Sequence, residues 1–565
     1  MSWFAHSLPD RSREDWEPLG AHLDATAKTA EGFVAALNER LAAWGRALGL
    51  LHDVGKASLP FLARLDGKAA AVDHSTAGAR VAVHHYGREI GRLLAFALMG
   101  HHGGLPDIGT VEGRLRSGEI PAHDPAAEPP LPLLDPAPLR RAFGLGFQVR
   151  MLYSCLVDAD SLETEAFYHP ERRTQRGIAF DPAALEARLD RAIAELPVED
   201  KNSRVNRLRA TVLDRCRQAA SLSPGLFSLS VPTGGGKTLS ALAFALAHAR
   251  LNRLRRVVVV IPYTSIIEQT AQVYRKALGP EVVLEHHSNS RPPPPEVGDD
   301  DRESLRMAEE NWDAPVVVTT SVQFFESLFA SRRGACRKLH NLAGAVIVLD
   351  EAQLLPAELL QPCLAAITEL VASCGASVVL TTATQPTLKR SPWLECGLNN
   401  VHEIMGDAEE VTELHRALRR VEIVPAGPMD DDALAQAMAA QHQVLTVVDT
   451  RAHARALFER IKDMGGAVHL SALMCPAHRT EVLDRLRIAL RQGLPCRVVS
   501  TQLVEAGVDI SFPAVYRALA GLDSIIQAAG RCNREGESTL GRVVVFEAVE
   551  GAAATFPPPG SAAPP

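Results

Sequence analysis

Two series of short β-branched segments, separated by stretches with helical spacing, restrict the fold of this chain most strongly. The segments occupy residues 256–261, 316–318, 345–349 and 377–380 in the first series, and residues 444–448, 496–500 and 542–546 in the second. Strands that alternate with helices form parallel sheets covered on both faces. The pattern therefore predicts two α/β lobes with parallel sheets, at residues 206–400 and 401–550.

The chain before these lobes has a different pattern. Alanine and leucine recur at helical spacing over residues 31–51 and 93–99, which predicts an all-α domain at residues 1–170. The charged residues 171–205 predict a connector with one amphipathic helix. Prolines predict surface loops at 119–138 and 291–303, and the Ala/Pro/Gly-rich residues 551–565 predict a disordered tail.

Composition narrows the class of protein. A hydrophobic content of 46% and a charged content of 22% are typical of a soluble globular protein. No apolar run reaches the roughly 20 residues that span a bilayer. Without a signal peptide, and with nine cysteines outside any Cys-x-x-Cys pair, a cytoplasmic chain with free thiols is expected. The formal charge of −8 argues against passive coating of duplex DNA, which needs Lys and Arg, but allows an enzyme that grips one strand.

A glycine-rich turn at residues 231–238 follows a predicted strand and opens an apolar helix. Backbone N–H groups of such a turn surround phosphate oxygens, and the helix N-terminus adds partial positive charge. Lys237 would reach the β- and γ-phosphates and Thr238 would hold Mg²⁺. The turn therefore predicts binding of ATP with Mg²⁺, through Thr233, Gly234, Gly235, Gly236, Lys237 and Thr238.

Two acidic residues, Asp350 and Glu351, end a hydrophobic strand. Asp350 would bind Mg²⁺ and Glu351 would orient the attacking water. With the phosphate turn, they resemble superfamily 2 helicases over residues 206–547, which implies two RecA-like lobes. Residues 262–269 and 319–323 resemble strand-gripping motifs, 381–384 the segment that couples hydrolysis to movement, 500–509 the fifth motif and 527–534 the sixth. Ser and Thr hydroxyls at loop tips would contact phosphates and sugars.

The sixth motif contains two arginines. Arg531 and Arg534 would stabilise charge on the transferring phosphoryl group, as arginine fingers do. Because they lie three residues apart, we expect them on one helical face beside Gln527, which would also face the nucleotide.

The all-α domain contains an ordered series of histidines and aspartates. His52 and Asp53 lie in a segment, 50–56, that is predicted to be helical, so their side chains would point about 100° apart and could wrap one metal. Lys56 would follow His52 by one turn. The candidate ligands are His22, His52, Asp53, His74, His101, His102 and Asp160, with Asp158 as the alternative to Asp160. Their number suffices for two metal ions, the arrangement that clamps a phosphodiester.

Imidazole and carboxylate ligands suit Mn²⁺, Fe²⁺, Co²⁺, Ni²⁺ or Zn²⁺. A lone buried histidine is more often a core residue than a ligand, so the remaining histidines are left out: His84, His85, His123, His286 and His287. The ordered series resembles the HD superfamily of metal phosphohydrolases. That resemblance implies catalytic roles for Asp53 and Lys56, and its Ala-Asp pattern, here Ala159-Asp160, favours Asp160 over Asp158.

An HD domain followed directly by a superfamily 2 motor resembles the helicase–nuclease of type I CRISPR systems. The resemblance implies recruitment by an RNA-guided Cascade-type effector complex, ATP-driven 3′-to-5′ movement on single-stranded DNA and degradation of that strand. The family continues into an accessory C-terminal domain, whereas only residues 547–565 follow the last predicted strand. Such a domain would then be absent, or the chain truncated before it.

Two other functions stay open. The HD domain could be a scaffold on a nucleic-acid-stimulated motor, or it could act on a nucleotide or signalling molecule. Nuclease activity with added Mn²⁺ or Ni²⁺ separates the first function from these alternatives.

Overall fold

The computed structural model describes residues 2–549 except 71, 117–122, 140–142, 197–202, 263, 289, 291–296, 384–387, 472, 506–507, 509 and 535–539. The predicted tail at 551–565, much of the predicted insertion at 291–303 and the start of the predicted loop at 119–138 lie outside the described residues.

The N-terminal domain is helical, which confirms its predicted class. Its elements are β1 (Phe4–His6), β2 (Glu17–Pro18), α1 (Leu19–Leu37), α2 (Ala42–Leu51), α3 (Leu59–Leu65), α4 (Ser75–Gly100), α5 (Ile108–Arg116) and α6 (Phe143–Tyr168). The helical spacing over residues 31–51 is interrupted between α1 and α2. There Asn38 is extended (φ −160°, ψ 113°), and its side chain accepts a hydrogen bond from the Arg40 backbone N–H.

The first α/β lobe contains a parallel sheet of seven strands in the order β5-β6-β4-β7-β8-β3-β9. Its strands are β3 (Leu226–Ser230), β4 (Arg256–Ile261), β5 (Val283–His286), β6 (Val316–Thr320), β7 (Ala345–Leu349), β8 (Ser377–Thr382) and β9 (Val401–Glu403). The helices of this region are α7 (Arg172–Gln175), α8 (Pro182–Ala194), α9 (Arg204–Ala219), α10 (Lys237–Asn252), α11 (Thr264–Leu278), α12 (Asp299–Asn311), α13 (Ser321–Phe329), α14 (Arg333–Cys336), α15 (Leu360–Cys374) and α16 (Ala408–Ala417). β4 is buried along its whole length, since helices cover both faces of the sheet.

The second lobe contains a parallel sheet of six strands in the order β10-β15-β14-β11-β13-β12. Its strands are β10 (Val421–Met429), β11 (Gln443–Val447), β12 (Ala467–Leu470), β13 (Cys496–Ser500), β14 (Ala514–Ala518) and β15 (Gly541–Ala548). Its helices are α17 (Asp431–Ala439), α18 (Arg451–Ile461), α19 (Pro476–Arg491) and α20 (Leu522–Ala529). The two lobes with parallel sheets confirm the predicted fold class.

The sequence-based boundary at residue 400 falls before two elements that belong to the first lobe. β9 pairs with β3. Val411 and Leu414 of α16 pack in the same hydrophobic core as Phe244 of α10.

The helical domain and the first lobe share one hydrophobic core. Leu152 and Leu156 of α6 belong to the same buried cluster as Ile367 of α15 and Val378 of β8. The buried hydrophobic clusters of the second lobe are separate from this core, and one of them contains Leu445. The helical domain is therefore packed onto the first lobe as part of one body.

One helical stretch of the described chain, residues 357–374, has the length and apolar composition of a membrane span. It coincides with α15, whose Leu364, Ile367 and Leu370 are buried in the core of the first lobe. Core helices of soluble proteins can have the same length and composition, and this one contributes to the core of the first lobe.

Candidate metal centre and nucleotide cleft

The segment that carries His52 and Asp53 differs from the predicted helix. α2 ends at Leu51, Asp53 leaves the helical conformation (φ −117°, ψ 11°), and a short 3-10 turn follows at Val54–Lys56. The prediction of one helix over residues 50–56 is therefore wrong. The turn packs against the start of α4, where a Cβ on Gly55 would lie 2.3 Å from the carbonyl oxygen of His74. This close approach explains why glycine stands between Asp53 and Lys56.

Four side chains, from α1, from α6 and from the turn that follows α2, form a first set of candidate ligands: His22, His52, Asp53 and Asp160. The Nε2 atoms of His22 and His52 lie 3.2 Å apart. Oδ2 of Asp53 lies 3.6 Å from His22 Nε2 and 3.4 Å from His52 Nε2. Oδ1 of Asp160 lies 3.5 Å and 3.6 Å from the same two nitrogens. All four side chains are buried.

A second set contains Asp53, His74, His101 and His102. The other oxygen of Asp53, Oδ1, lies 3.2 Å from His74 Nε2, 3.3 Å from His101 Nε2 and 4.0 Å from His102 Nε2. His102 is the open member of the set, with 48% of its side chain exposed. Asp53 therefore joins two sets of ligand atoms through its two oxygens, as a carboxylate bridging two metal ions would.

In three of these histidines, the ring nitrogen that does not face the other ligands lies close to a backbone carbonyl oxygen. Nδ1 of His52 lies 2.7 Å from the Gly49 carbonyl oxygen, and Nδ1 of His101 lies 2.6 Å from that of Leu98. Nδ1 of His74 lies 3.1 Å from the Val72 carbonyl oxygen. Metal-binding histidines are oriented in this way, with one nitrogen on a carbonyl or carboxylate and the other on the ion. The donor set therefore fits one or two divalent transition metals.

Lys56 forms an ion pair with Asp53 that stabilises the ionised carboxylate. Its Nζ lies 2.5 Å from Asp53 Oδ2 and donates to the Ala5 carbonyl oxygen at 3.2 Å. Burial would raise the pKa of Asp53, but the charges of Lys56 and His52 outweigh it and hold that pKa well below its usual range. Asp53 is therefore a carboxylate, the form that binds a cation.

The structure separates the two aspartates that the sequence left as alternatives. Asp160 lies in the first ligand set, and its Oδ2 accepts a hydrogen bond from Arg333 of the first lobe at 2.9 Å. Asp158 points away from the cluster and is held by Arg337 at 2.7 Å, His340 at 2.9 Å and Asn311 at 3.0 Å. Burial raises the pKa of Asp158, but His340 and Arg337 outweigh it and lower that pKa to about 2.

Replacing Asp158 with alanine tests this division of roles. Arg337 and His340 would lose a buried anionic partner, which costs about 3–5 kcal/mol of the free energy of unfolding. The affinity for Mn²⁺ should not change, because Asp158 contacts no member of the ligand sets. Urea unfolding followed by tryptophan fluorescence measures the first effect and calorimetry the second, with the exposed Asp24→Ala as control. Weakened Mn²⁺ binding with unchanged stability would contradict this role.

No motif in the sequence marked Glu17, which extends the first ligand set. Its Oε2 lies 3.3 Å from Nδ1 of His22 and 2.6 Å from Nδ1 of His6. Burial raises the pKa of Glu17, but hydrogen bonds with His22 and His6 outweigh it and lower that pKa to about 2. β1 and β2 pair His6 with Glu17, and this pairing across the chain is not visible as a spacing.

The phosphate turn lies between β3 and α10, as predicted. Gly234 and Gly236 have positive φ angles of 76° and 86°, which side chains with a Cβ rarely adopt. Thr233, Gly234, Gly236, Lys237 and Thr238 line a cavity of about 630 Å³. Gly235 is buried beside it, where a Cβ would lie 2.4 Å from Val231 Cγ1. The turn therefore has the shape that a phosphate-binding loop needs.

Both lobes contribute to this cavity. Asp350 and Glu351 line it from the first lobe, and Gln527, Arg531 and Arg534 line it from the second. Lys237 Nζ donates to Glu351 Oε1 at 2.9 Å, and the hydroxyl of Thr381 donates to Asp350. Thr381 thereby connects the predicted coupling segment with the acidic pair.

The expected helical face for Arg531 and Arg534 is wrong. α20 ends at Ala529. The chain then turns, so that the backbone of Cys532 forms an isolated β-bridge with that of Phe512 and Asn533 adopts a φ of 47°. The buried Arg531 donates to the carbonyl oxygens of Val504 and Glu505, both at 2.8 Å. Arg531 therefore fixes the backbone of the fifth motif while it lines the cavity.

The loop-tip position expected for Ser and Thr hydroxyls does not hold for Thr319 and Thr320. Thr319 and Thr320 are buried at the end of β6, where Thr319 donates to the His286 carbonyl oxygen and Thr320 caps α13. Gln269, predicted in a strand-gripping motif, lines the nucleotide cavity. Other predicted motif positions lie outside the described residues: Tyr263, Thr384, Ala506, Gly507 and Asp509.

Two arginines outside the predicted motifs hold the phosphate turn. Nε of Arg209 donates to the Gly234 carbonyl oxygen at 2.9 Å. Arg420, just before β10, donates to the carbonyl oxygens of Thr233 and Arg534 and so connects the two lobes. Neither arginine stands at a recognisable spacing from the glycines, so only the fold reveals them.

Family comparisons agree with this geometry. Residues 215–391 match the model for DEAD/DEAH box helicases, and residues 440–537 match the model for the C-terminal part of the CRISPR-associated nuclease/helicase Cas3. Two RecA-like lobes that close on a phosphate turn, an Asp-Glu pair and two arginines define a helicase-type ATPase core. The particular likeness is to Cas3, and a helical domain precedes that core in this chain.

Two curated relatives have this likeness. The CRISPR-associated nuclease/helicase Cas3 of Haloferax volcanii is 26% identical over 504 residues, covering 68% of this chain and 54% of the relative. The CRISPR-associated helicase Cas3 of Thermoproteus tenax is 29% identical over 212 residues, covering 37% of this chain and 34% of the relative. The chain thus spans about half the length of the first relative and a third of the second.

Solved structures show the same fold. The crystal structure of T. fusca Cas3 with ATP has a TM-score of 0.67 at 18% identity and covers 98% of this chain and 76% of its own. A CRISPR RNA-guided surveillance complex before nicking has a TM-score of 0.59 at 17% identity, with coverages of 98% and 75%. The likeness includes the helical domain as well as both lobes.

Proposed function

We propose that this chain is an ATP-driven single-stranded-DNA translocase with a metal-dependent nuclease site, which degrades foreign DNA in type I CRISPR interference. The observation that carries the proposal is Asp53, whose two oxygens face two separate ligand sets. A carboxylate between two such ligand sets suits metal-dependent cleavage. The domain that carries it is packed onto an ATPase lobe, so one chain would combine cleavage with a motor.

The nucleotide cleft provides the motor half. Lys237 and the backbone of the phosphate turn would bind the phosphates, and Thr238 and Asp350 would hold Mg²⁺. Burial and the neighbouring charge of Glu351 raise the pKa of Asp350. In Glu351, burial is outweighed by the charge of Lys237, which lowers the pKa of that carboxyl. Glu351 is thus ionised and can orient water.

The metal centre provides the nuclease half. Mn²⁺, Fe²⁺, Co²⁺ or Ni²⁺ bound there supplies Lewis-acid stabilisation of the charge on a phosphodiester during cleavage. His22, His52 and Asp160 would hold one ion and His74, His101 and His102 the other, with Asp53 between them. Lys56 keeps Asp53 ionised. The exposed edge at His102 leaves a side from which a single strand can approach.

The proposed partner is an RNA-guided Cascade-type effector complex. Base pairing in such a complex selects the target, so a motor needs no sequence recognition of its own. The formal charge of −8 agrees with a protein whose substrate is delivered by a partner. The likeness in fold to chains of a surveillance complex supports the same proposal, and we expect the protein in the cytoplasm.

Cleavage and movement can be tested separately on the full chain. We expect single-stranded DNA to be cut with Mn²⁺ or Ni²⁺ in the absence of ATP. We also expect ATP, with the nuclease site inactivated, to drive displacement of streptavidin from the 5′ end of biotinylated single strands. If the wild-type chain hydrolyses ATP but cuts no DNA with either metal, the helical domain is a scaffold or acts on a nucleotide, and the nuclease proposal fails.

Replacing Arg534 with alanine tests the cleft between the lobes. Removal of an arginine that stabilises the transferring phosphoryl group lowers kcat by about 10³-fold or more. ATP binding should persist, because Lys237 and the phosphate turn are unchanged. The measurement is steady-state ATP hydrolysis with binding of a fluorescent nucleotide, and Arg542→Ala, an exposed arginine of β15, is the control. A wild-type kcat in Arg534→Ala would exclude this role.

A further inference from the structure

A short segment of the first lobe, residues 330–333 from the end of α13 to the first residue of α14, contacts the helical domain beside both ligand sets. On one side, the guanidinium of Arg333 donates to Asp160 Oδ2 at 2.9 Å and to Ser161 Oγ at 2.8 Å. On the other side, the backbone N–H of Leu105 donates to the Ser331 carbonyl oxygen at 2.8 Å. Arg150 of α6 donates to the Ala330 carbonyl oxygen. The segment thus reaches the metal centre from outside its own domain.

The two carboxylate oxygens of Asp160 have different partners. Oδ1 faces His22 and His52 at 3.5 Å and 3.6 Å, whereas Oδ2 faces Arg333. Only 5% of the Asp160 side chain is exposed. Because Arg333 holds one oxygen, the other is fixed in its direction towards the histidines. A carboxylate ligand with this kind of partner is oriented before an ion arrives.

The contact at Ser331 acts on the loop that follows His101 and His102. Gly104 in this loop has a φ of 105°, and a Cβ there would lie 2.8 Å from the Ser331 carbonyl oxygen. The loop therefore packs closely on the first lobe directly after the two histidines of the second ligand set. One segment of the ATPase lobe supports both halves of the centre.

We propose that Arg333 is a positioning residue of the metal centre, so that the nuclease site is completed by the first ATPase lobe. The inference rests on the proposed nuclease function for its biological meaning, but not for its metal-binding test. Arg333 touches neither substrate nor ion; it acts through Asp160. Without it, Asp160 loses the group that holds its Oδ2 and so fixes the direction of its Oδ1.

The test compares Arg333→Ala with Arg332→Ala in the full chain. Arg332 is the exposed neighbour, so its replacement removes the same charge from the same segment. In Arg333→Ala, the affinity for Mn²⁺ measured by calorimetry should fall by about 10–100-fold, the usual loss for an outer partner of a metal ligand. The visible absorption of bound Co²⁺, which reports ligand geometry, should change as well. ATP hydrolysis should remain that of the wild type.

A conservative variant separates positioning from folding. In Arg333→Lys one ammonium donor replaces the planar fork, so affinity and Co²⁺ absorption should lie between those of wild type and Arg333→Ala. Equal Mn²⁺ affinity and equal Co²⁺ absorption in Arg333→Ala and Arg332→Ala would overturn the inference. If instead the wild type binds Mn²⁺ but cuts no DNA, the proposed nuclease fails while the positioning role is still decided by the metal affinities.

Discussion

Replacing Asp53 with asparagine will abolish metal-dependent cleavage of single-stranded DNA and leave ATP hydrolysis intact. Each Asp53 oxygen faces a different ligand set, so one substitution removes a negative charge from both. Loss of an outer partner typically costs 10–100-fold in affinity or activity, and loss of this shared ligand should exceed about 100-fold. The measurement is cleavage of a circular single strand at saturating Mn²⁺, alongside DNA-stimulated ATP hydrolysis.

The matched control is Asp24→Asn, an exposed carboxylate two positions after His22 on α1. It makes the same chemical change on the same domain without entering the cluster. In Asp53→Asn, Lys56 loses its buried partner, so retention of ATP hydrolysis also shows that the shared core is folded. Cleavage by Asp53→Asn at the wild-type rate would place the nuclease site elsewhere.

Replacing Lys237 with alanine will have the opposite effect. Lys237 is the cation of the phosphate turn and donates to Glu351 within the first lobe. The variant loses the charge on the phosphates, which should lower ATP hydrolysis by about 10³-fold, the scale seen when another cation is removed from a transferring phosphoryl group. Cutting of single strands with Mn²⁺ should continue without ATP, because the metal centre lies in the helical domain.

Lys276→Ala, an exposed lysine at the end of α11, is the control for Lys237→Ala. Together, Asp53→Asn and Lys237→Ala form a crossed pair in which each variant is the activity control of the other. If Lys237→Ala lost cutting as well as hydrolysis, nicking would depend on ATP, and the two sites would not be chemically independent.

The fold was predictable where strands are buried on both faces. After their first residues, Arg256 and Ala345, β4 and β7 are runs of valine, isoleucine and leucine because no side of either strand meets water. β10 was not predicted: it is an edge strand and contains Pro425, Gly427 and Pro428, which interrupt a β-branched pattern. The sequences of β9 and α16 do not indicate which lobe these elements belong to. Their place in the first lobe depends on pairing of β9 with β3 and on packing of α16 with α10.

The candidate sites were predictable where residues recur at short spacing. His52 and Asp53 are neighbours, and the glycines adjoin Lys237, so local chemistry was visible in the sequence. Glu17 and Arg333 were not, since each meets its partner only through the fold: Glu17 by pairing opposite His6, and Arg333 by packing of the first lobe on α6. The prediction that Arg531 and Arg534 share one helical face is wrong because the chain leaves α20 and forms a backbone β-bridge with Phe512.

The continuous core between the helical domain and the first lobe has a mechanical meaning. The second lobe has its own hydrophobic clusters, and its contacts with the first lobe include those of Arg420 and the approach of Gly530 to Thr233. Opening of the nucleotide cleft would therefore separate the second lobe from a unit with one continuous core, which carries both the phosphate turn and Asp53. In the proposed function, the candidate nuclease site is therefore built on the same unit as the phosphate turn, and the second lobe is the part that would move relative to both.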